Sequence, residues 1–206
     1  MQISGIVNAP SNISATDGSQ PIYLLGKSAE WVIAEIHGKW YTAAYRGRTF
    51  HGATSIAGTT LTTQTTTVSA FMLFNPAGSG VNAEMIGTDI GLIGTTSVIA
   101  TVLQTLGTAS ITGVTTTVTV TVSANPFAAG AANKAQLTTL ATLSTANTFF
   151  YPIFNIAATA ATPIGPMHYD WDGKLLLAPG SETNLSTNIT TAQAWVCGYD
   201  WAEWPV

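Results

Sequence analysis

The chain has 206 residues and a formal net charge of −4, with 46% of residues hydrophobic and only 8% charged, against about 25% charged in an ordinary soluble domain. Six Lys and Arg residues cannot build the basic stripe that neutralises phosphates, so nucleic acid is not expected as a partner. The longest apolar region, Met85 to Leu103, is cut by Gly87, Asp89, Gly91 and Gly94, so no membrane-spanning helix is expected.

The first twenty-odd residues are rich in Ser, Asn, Gly and Pro and read as irregular strap. They have neither a basic segment nor a continuous apolar run, so no secretory signal is expected. Lys27, Glu30, Glu35, Lys39, Arg46 and Arg48 then crowd together, whereas nothing charged lies between Asp89 and Lys134. This shift in composition predicts an N-terminal arm over 1–48 and a β-sandwich over 49–206. Within the arm, Trp31, His37, Lys39, Trp40, Tyr41, Tyr45, Arg46 and Arg48 are candidate interface residues, because Trp, Tyr and Arg are the types that anchor contacts.

Beyond the arm the pattern predicts strands at 49–57, 67–75, 81–93, 96–106, 111–122, 147–157, 174–178, 183–190 and 193–204. In "VTTTVTVTV" Val114, Val118, Val120 and Val122 share one parity, leaving Thr on the other face. In the last run Trp195, Cys197, Tyr199 and Trp201 share a parity and are expected in the core. A lone Cys197 excludes an internal disulfide framework. Ala131 to Leu143, rich in Ala and Leu, could hold a short helix, with its Thr pairs arguing against it. Many short strands with Gly, Pro and Asn joints predict an all-β antiparallel sandwich, jelly-roll-like, with an extended N-terminal arm.

"FMLFNPAGSG", residues 71–80, superficially suggests a phosphate loop. Such a loop needs Gly-Lys-Ser/Thr leading into a helix, but Gly80 is followed by Val81-Asn82 and a strand pattern. Asn75, Pro76, Gly78 and Gly80 are therefore expected to form a structural turn. No Gly-x-Ser-x-Gly elbow occurs, and the spacing of Glu84, Asp89, Asp170, Asp172 and Glu203 suggests no glycosidase pair. In "HYDWDG" a strand would turn His168, Asp170 and Asp172 to one face as metal ligands. The simpler reading is an edge strand with a polar outer face, Tyr169 and Trp171 packed inward, and an Asp-Gly turn. No catalytic residue, cofactor or metal ligand is assigned from the sequence.

Four patches together, "LLGKSAEWVIAEIHGKWYTAAYRGRTFHGAT", "FMLFNPAGSGVNAEMIGTDIGLIGTT", "DGKLLLAPG" and "VCGYDWAEWPV", resemble a group of bacteriophage virion proteins. Gly38, Lys39, Tyr41, Arg46 and Gly47 match the arm motif, and Asn75, Pro76, Gly78, Gly80 and Asn82 match the corner. The chain departs from the group at Val81, the position after Gly-Ser-Gly at which members of the group tend to carry Lys. The resemblance implies a non-enzymatic capsid decoration or cement protein, made in the bacterial cytoplasm and placed on the capsid surface. Its partners would be further copies of itself, as a homotrimer, and the major capsid protein. The alternative is a tail or fibre component that binds a receptor or carbohydrate. Low charge agrees independently: a surface of Thr, Ser and Asn is cheap to desolvate and suits being covered.

Overall fold

In the computed structural model the described residues are 39–40, 43–44, 46–63, 67–93, 98–108, 111–117, 132–158, 165–189 and 193–206. The chain divides into Met1–Lys39 and Trp40–Val206, and the second unit holds every described strand. Residues 118–122 of the Val/Thr run lie outside the described residues.

The strands, in chain order, are β1 (Thr49–Ala53), β2 (Thr59–Thr60), β3 (Val68–Ser69), β4 (Met72–Asn75), β5 (Val81–Ile93), β6 (Val98–Gly107), β7 (Ile111–Thr117), β8 (Gln136–Leu143), β9 (Phe149–Ala158), β10 (Met167–Asp170), β11 (Leu176–Leu177), β12 (Ser181–Thr187) and β13 (Ala194–Pro205). They form two antiparallel sheets, the all-β sandwich that the alternation predicts. The first sheet runs β1-β13-β5-β10, with β11 also on β5 and β2 on β13; the second runs β3-β8-β4-β12-β6-β9, with β7 on β8.

Each expected run contains a strand, and β5 has the expected ends. The helix considered for 131–143 is not there: Gln136–Leu143 is β8, paired with β4, β3 and β7. Local Ala and Leu content loses to sheet pairing, which buries Leu137, Ala141 and Leu143.

The two sheets enclose one main core. Trp195, Cys197, Tyr199 and Trp201 of β13 face it, as their shared parity predicts. Phe50 of β1 stacks on Trp201 at 5.7 Å, and Phe71, just ahead of β4, stacks on Tyr199 at 4.8 Å. Burial drives the Cys197 thiol and the Tyr199 phenol well above their ordinary pKa values, so both are neutral core groups. A smaller cluster of Met72, Ala141 and Leu143 packs with Phe74 in the second sheet.

A bulge sets the parity of β5. Asp200 of β13 pairs with Gly87, but the next residue, Trp201, pairs with Met85, so Ile86 is the extra residue. The bulge is held by the chain at 171–175: the Trp171 N–H donates to the Ile86 carbonyl at 2.8 Å and the Met85 N–H to the Leu175 carbonyl at 2.9 Å. On one side of it Ala83 and Met85 face the core; on the other Thr88 and Ile90 do. Asp89 is thereby turned to the outer face.

Polar groups also cross the interior. The Gln104 amide nitrogen of β6 donates to Thr183 Oγ1 of β12 and to Tyr199 Oη of β13, the latter at 2.8 Å. Thr183 Oγ1 donates on to the Thr105 carbonyl at 2.7 Å, and Trp171 Nε1 donates to Thr88 Oγ1 at 2.9 Å. This network ties the sheets together at one register.

Trp201 is fully buried, so Trp201→Ala should cost about 3–5 kcal/mol in urea denaturation. Ile99→Ala, at a position 81% exposed, should leave the midpoint within experimental scatter.

Candidate functional site

Of the arm residues singled out in the sequence, Trp31, His37, Tyr41 and Tyr45 lie outside the described residues. Lys39 and Arg46 are exposed, and Trp40 and Arg48 are half-buried. Arg48 is built into the sandwich wall. Its carbonyl accepts the Glu203 N–H at 2.9 Å, and its guanidinium stands 6.0 Å from the centroid of the Trp204 ring.

The corner at 75–80 is closed by its own backbone and by Asn75. Gly78 and Gly80 have φ of 81° and 73°, a region that L side chains rarely adopt. The buried Asn75 amide donates to the carbonyls of Val81 and Leu177 at 2.8 and 2.9 Å, joining the corner to β11.

"HYDWDG" does not gather its three polar side chains around one point. Asp172 and Gly173, with φ of 48° and 75°, form a tight turn closed by the Lys174 N–H on the Trp171 carbonyl at 2.8 Å. Asp170 Oδ1 accepts the Asp172 backbone N–H at 2.8 Å, an arrangement internal to the turn. His168 reaches across the sheet to Asp89, and Trp171 is buried. The other carboxylates disperse too. Glu84 accepts from Trp204 Nε1 at 2.7 Å, and Glu203 accepts the backbone N–H groups of Lys134 and Ala135 at 2.9 and 2.8 Å.

His168 joins a different constellation, a row over four strands on the outer face of the first sheet. His51 of β1 lies opposite Asp200 of β13, and its Nδ1 is 2.9 Å from Asp200 Oδ1. His168 of β10 lies opposite Asp89 of β5, with Nδ1 2.8 Å from Asp89 Oδ1. Asp200 pairs with Gly87 and Asp89 with Gly198, so the two His–Asp pairs are related by a local two-fold axis between β5 and β13. Each glycine leaves room for an imidazole: a Cβ at Gly87 would strike the His168 ring, and one at Gly198 would lie 3.4 Å from His51 Cε1. The hydrogen bond to Asp200 raises the His51 pKa, partial burial opposes it, and the charges of Asp200 and Asp89 add to the rise. Sequence spacing found His168 but not its partners, because Asp89 and Asp200 reach this face only through the β5–β13 register.

A second feature runs along the side of the sandwich where β9 and β10, the end strands of the two described sheets, come together. Phe154 meets Tyr169 at 6.1 Å, Tyr169 meets Trp171 at 4.8 Å, Trp171 meets Tyr151 at 5.7 Å and Tyr151 meets Phe149 at 6.2 Å. This aromatic seam ends in solvent: Phe149, Phe150 and Tyr151 are 64%, 43% and 43% exposed. Pro152 and a bulge opposite Val102/Leu103 interrupt the outer edge of β9. The seam therefore offers side-chain faces more readily than a backbone edge for strand addition.

Glu182 is a buried site that no sequence motif announced. It sits at 0% exposure in β12, accepting from the amides of Asn147 and Asn184, with no cation bonded to it among the described residues. Burial raises its pKa from 4.5 to about 7, the two amides opposing the rise. Asn147 also lines a groove of about 360 Å³ with Leu106, Gly107, Thr108 and Ser144.

No family model matches the chain, and neither does any curated protein or solved structure.

Glu182 fixes the sign of a pH effect. Its folded pKa lies above its unfolded value, so the native state binds the proton more tightly, and stability falls as pH rises from about 4.5 to about 7. The loss should be on the order of 3 kcal/mol, measured by urea denaturation at pH 5 and pH 8. Glu182→Gln should flatten this dependence, and the difference between the two proteins isolates Glu182 from His51, whose raised pKa acts in the same direction.

Proposed function

We propose that the protein is a non-enzymatic structural component of a bacteriophage particle, a decoration or cement protein of the head. It works by packing against copies of itself, as a homotrimer, and against the major capsid protein. The observation that carries this reading is the exposed run Phe149-Phe150-Tyr151 on an end strand of the second sheet. Three consecutive exposed aromatics are costly on a free surface and are the residue types that anchor interfaces, at about 2 kcal/mol or more for each well-buried one. Pro152 beside them discourages runaway strand addition, which suits a closed oligomer better than a fibre.

Strand order supports the same reading. Taking β1, β4, β5, β6, β9, β10, β12 and β13 as strands one to eight, the sheets run 1-8-3-6 and 2-7-4-5. That order supports a jelly-roll reading, an architecture shared by viral capsid proteins, lectins and cupins. A fold alone does not choose among these functions; the low charge and the four sequence patches favour the virion.

Phe149→Ser with Phe150→Ser is the test. In sedimentation velocity the wild-type chain should be oligomeric and the double variant monomeric, with an unchanged melting temperature. Purified particles should hold many copies of the wild-type protein and few of the variant. A wild-type monomer at high concentration, or a mere handful of copies per particle, overturns the proposal; retention of host surface glycan by the isolated protein would favour the tail or fibre alternative.

A further inference from the structure

We infer that the outer face of the first sheet is a binding site for a zinc-class divalent cation, with His51 Nδ1 and the carboxylates of Asp89 and Asp200 as ligands and His168 holding Asp89 from behind. The three ligand atoms lie within 4.8 Å of one another, and one pair is already at 2.9 Å. Donors about 2.0 Å from a tetrahedral zinc are about 3.3 Å apart. Closing the set requires the ligand atoms to draw together from within 4.8 Å to about 3.3 Å.

Three further observations point to a cation. The carboxylates are brought together from β5 and β13, and among the described residues their side-chain partners are the two imidazoles, with no Lys or Arg. A dication with a neutral His51 would balance both charges. Gly87 and Gly198 keep the floor of the site low, so that the imidazoles lie along the sheet instead of standing away from it. His168 Nδ1 bonds Asp89 Oδ1 at 2.8 Å, the outer contact that orients a carboxylate ligand and leaves its second oxygen to face the ion.

The donor set also selects the class of metal. One imidazole and two carboxylates, partly exposed, suit Zn²⁺ or Co²⁺ with water completing the shell. Ca²⁺ takes six to eight oxygens and Mg²⁺ a near-ideal octahedron, neither of which three such side chains supply. A bound ion would clip β1, β5 and β13 together through residues 51, 89 and 200, far apart in the chain.

Calorimetric titration of ZnCl₂ into the full-length chain, stripped with EDTA and dialysed, tests the site. One Zn²⁺ per chain should bind and raise the melting temperature, with no comparable effect from Mg²⁺ or Ca²⁺. Asp200→Asn and His51→Gln should abolish binding, and His168→Gln should weaken it about 10–100-fold without abolishing it. Absence of binding by the wild-type chain overturns the inference, as does undiminished binding by Asp200→Asn or His51→Gln. Should the Asp200 variant fail to fold, visible absorption of the Co²⁺-loaded wild-type chain decides the matter. A tetrahedral ligand-field band lost in His51→Gln supports the site, and absence of such a band overturns it.

Discussion

The pairing of β5 with β13 is the constraint on which most of this molecule depends. The two strands lie together from Val81 opposite Pro205 to Ile93 opposite Ala194, and β1, β2, β10 and β11 attach to one or the other. Between Asp200 and Trp201 the register must slip by one residue. Without that slip, the alternation that buries Ala83 and Met85 would carry Gly87 and Asp89 into the core as well. With it, Thr88 and Ile90 go inward, and a carboxylate that would be very costly to bury is kept outside. The turn at Asp172-Gly173 matters for the same reason, since it aims the Trp171 N–H at the bulge carbonyl.

The interior combines two kinds of contact with different consequences. Aromatic stacking of Phe50 on Trp201 and Phe71 on Tyr199 supplies apolar burial, which tolerates small shifts. The Gln104–Thr183–Tyr199 network does not tolerate them, because a displaced sheet would strand buried donors and acceptors. Part of the hydroxyl and amide content that reads as neutral surface in the sequence is in fact internal. Thr88, Thr105, Thr138, Thr183, Asn184, Ser186 and Thr187 are all buried within the described fold. The low charge of the chain thus serves its own interior as well as any covered exterior.

The outer surface has two unlike faces. On one, imidazoles and carboxylates meet across β1, β13, β5 and β10; along the side, aromatic rings link β9 to the β10–β11 turn and run out into solvent. The order of strands supports both, because it places β1 and β13 side by side and leaves β9 and β10 as companion edges of opposite described sheets.

By itself the sequence determined the class of structure: strand alternation, β-branched content and Gly/Pro joints are local, and so is the parity that commits Trp195, Cys197, Tyr199 and Trp201 to the core. The Asn75–Gly80 corner and the Asp172-Gly173 turn were equally legible, since backbone conformation there depends on the residues themselves. Tertiary structure alone decided the rest. It made a strand of Gln136–Leu143 by giving its edges partners, buried Glu182 in a central strand whose letters look like surface, and, through one extra residue at Ile86, turned Asp89 to the face where His51 and Asp200 stand. A period-2 pattern records which side chains share a face only while the register is unbroken, and a bulge is a property of two strands at once.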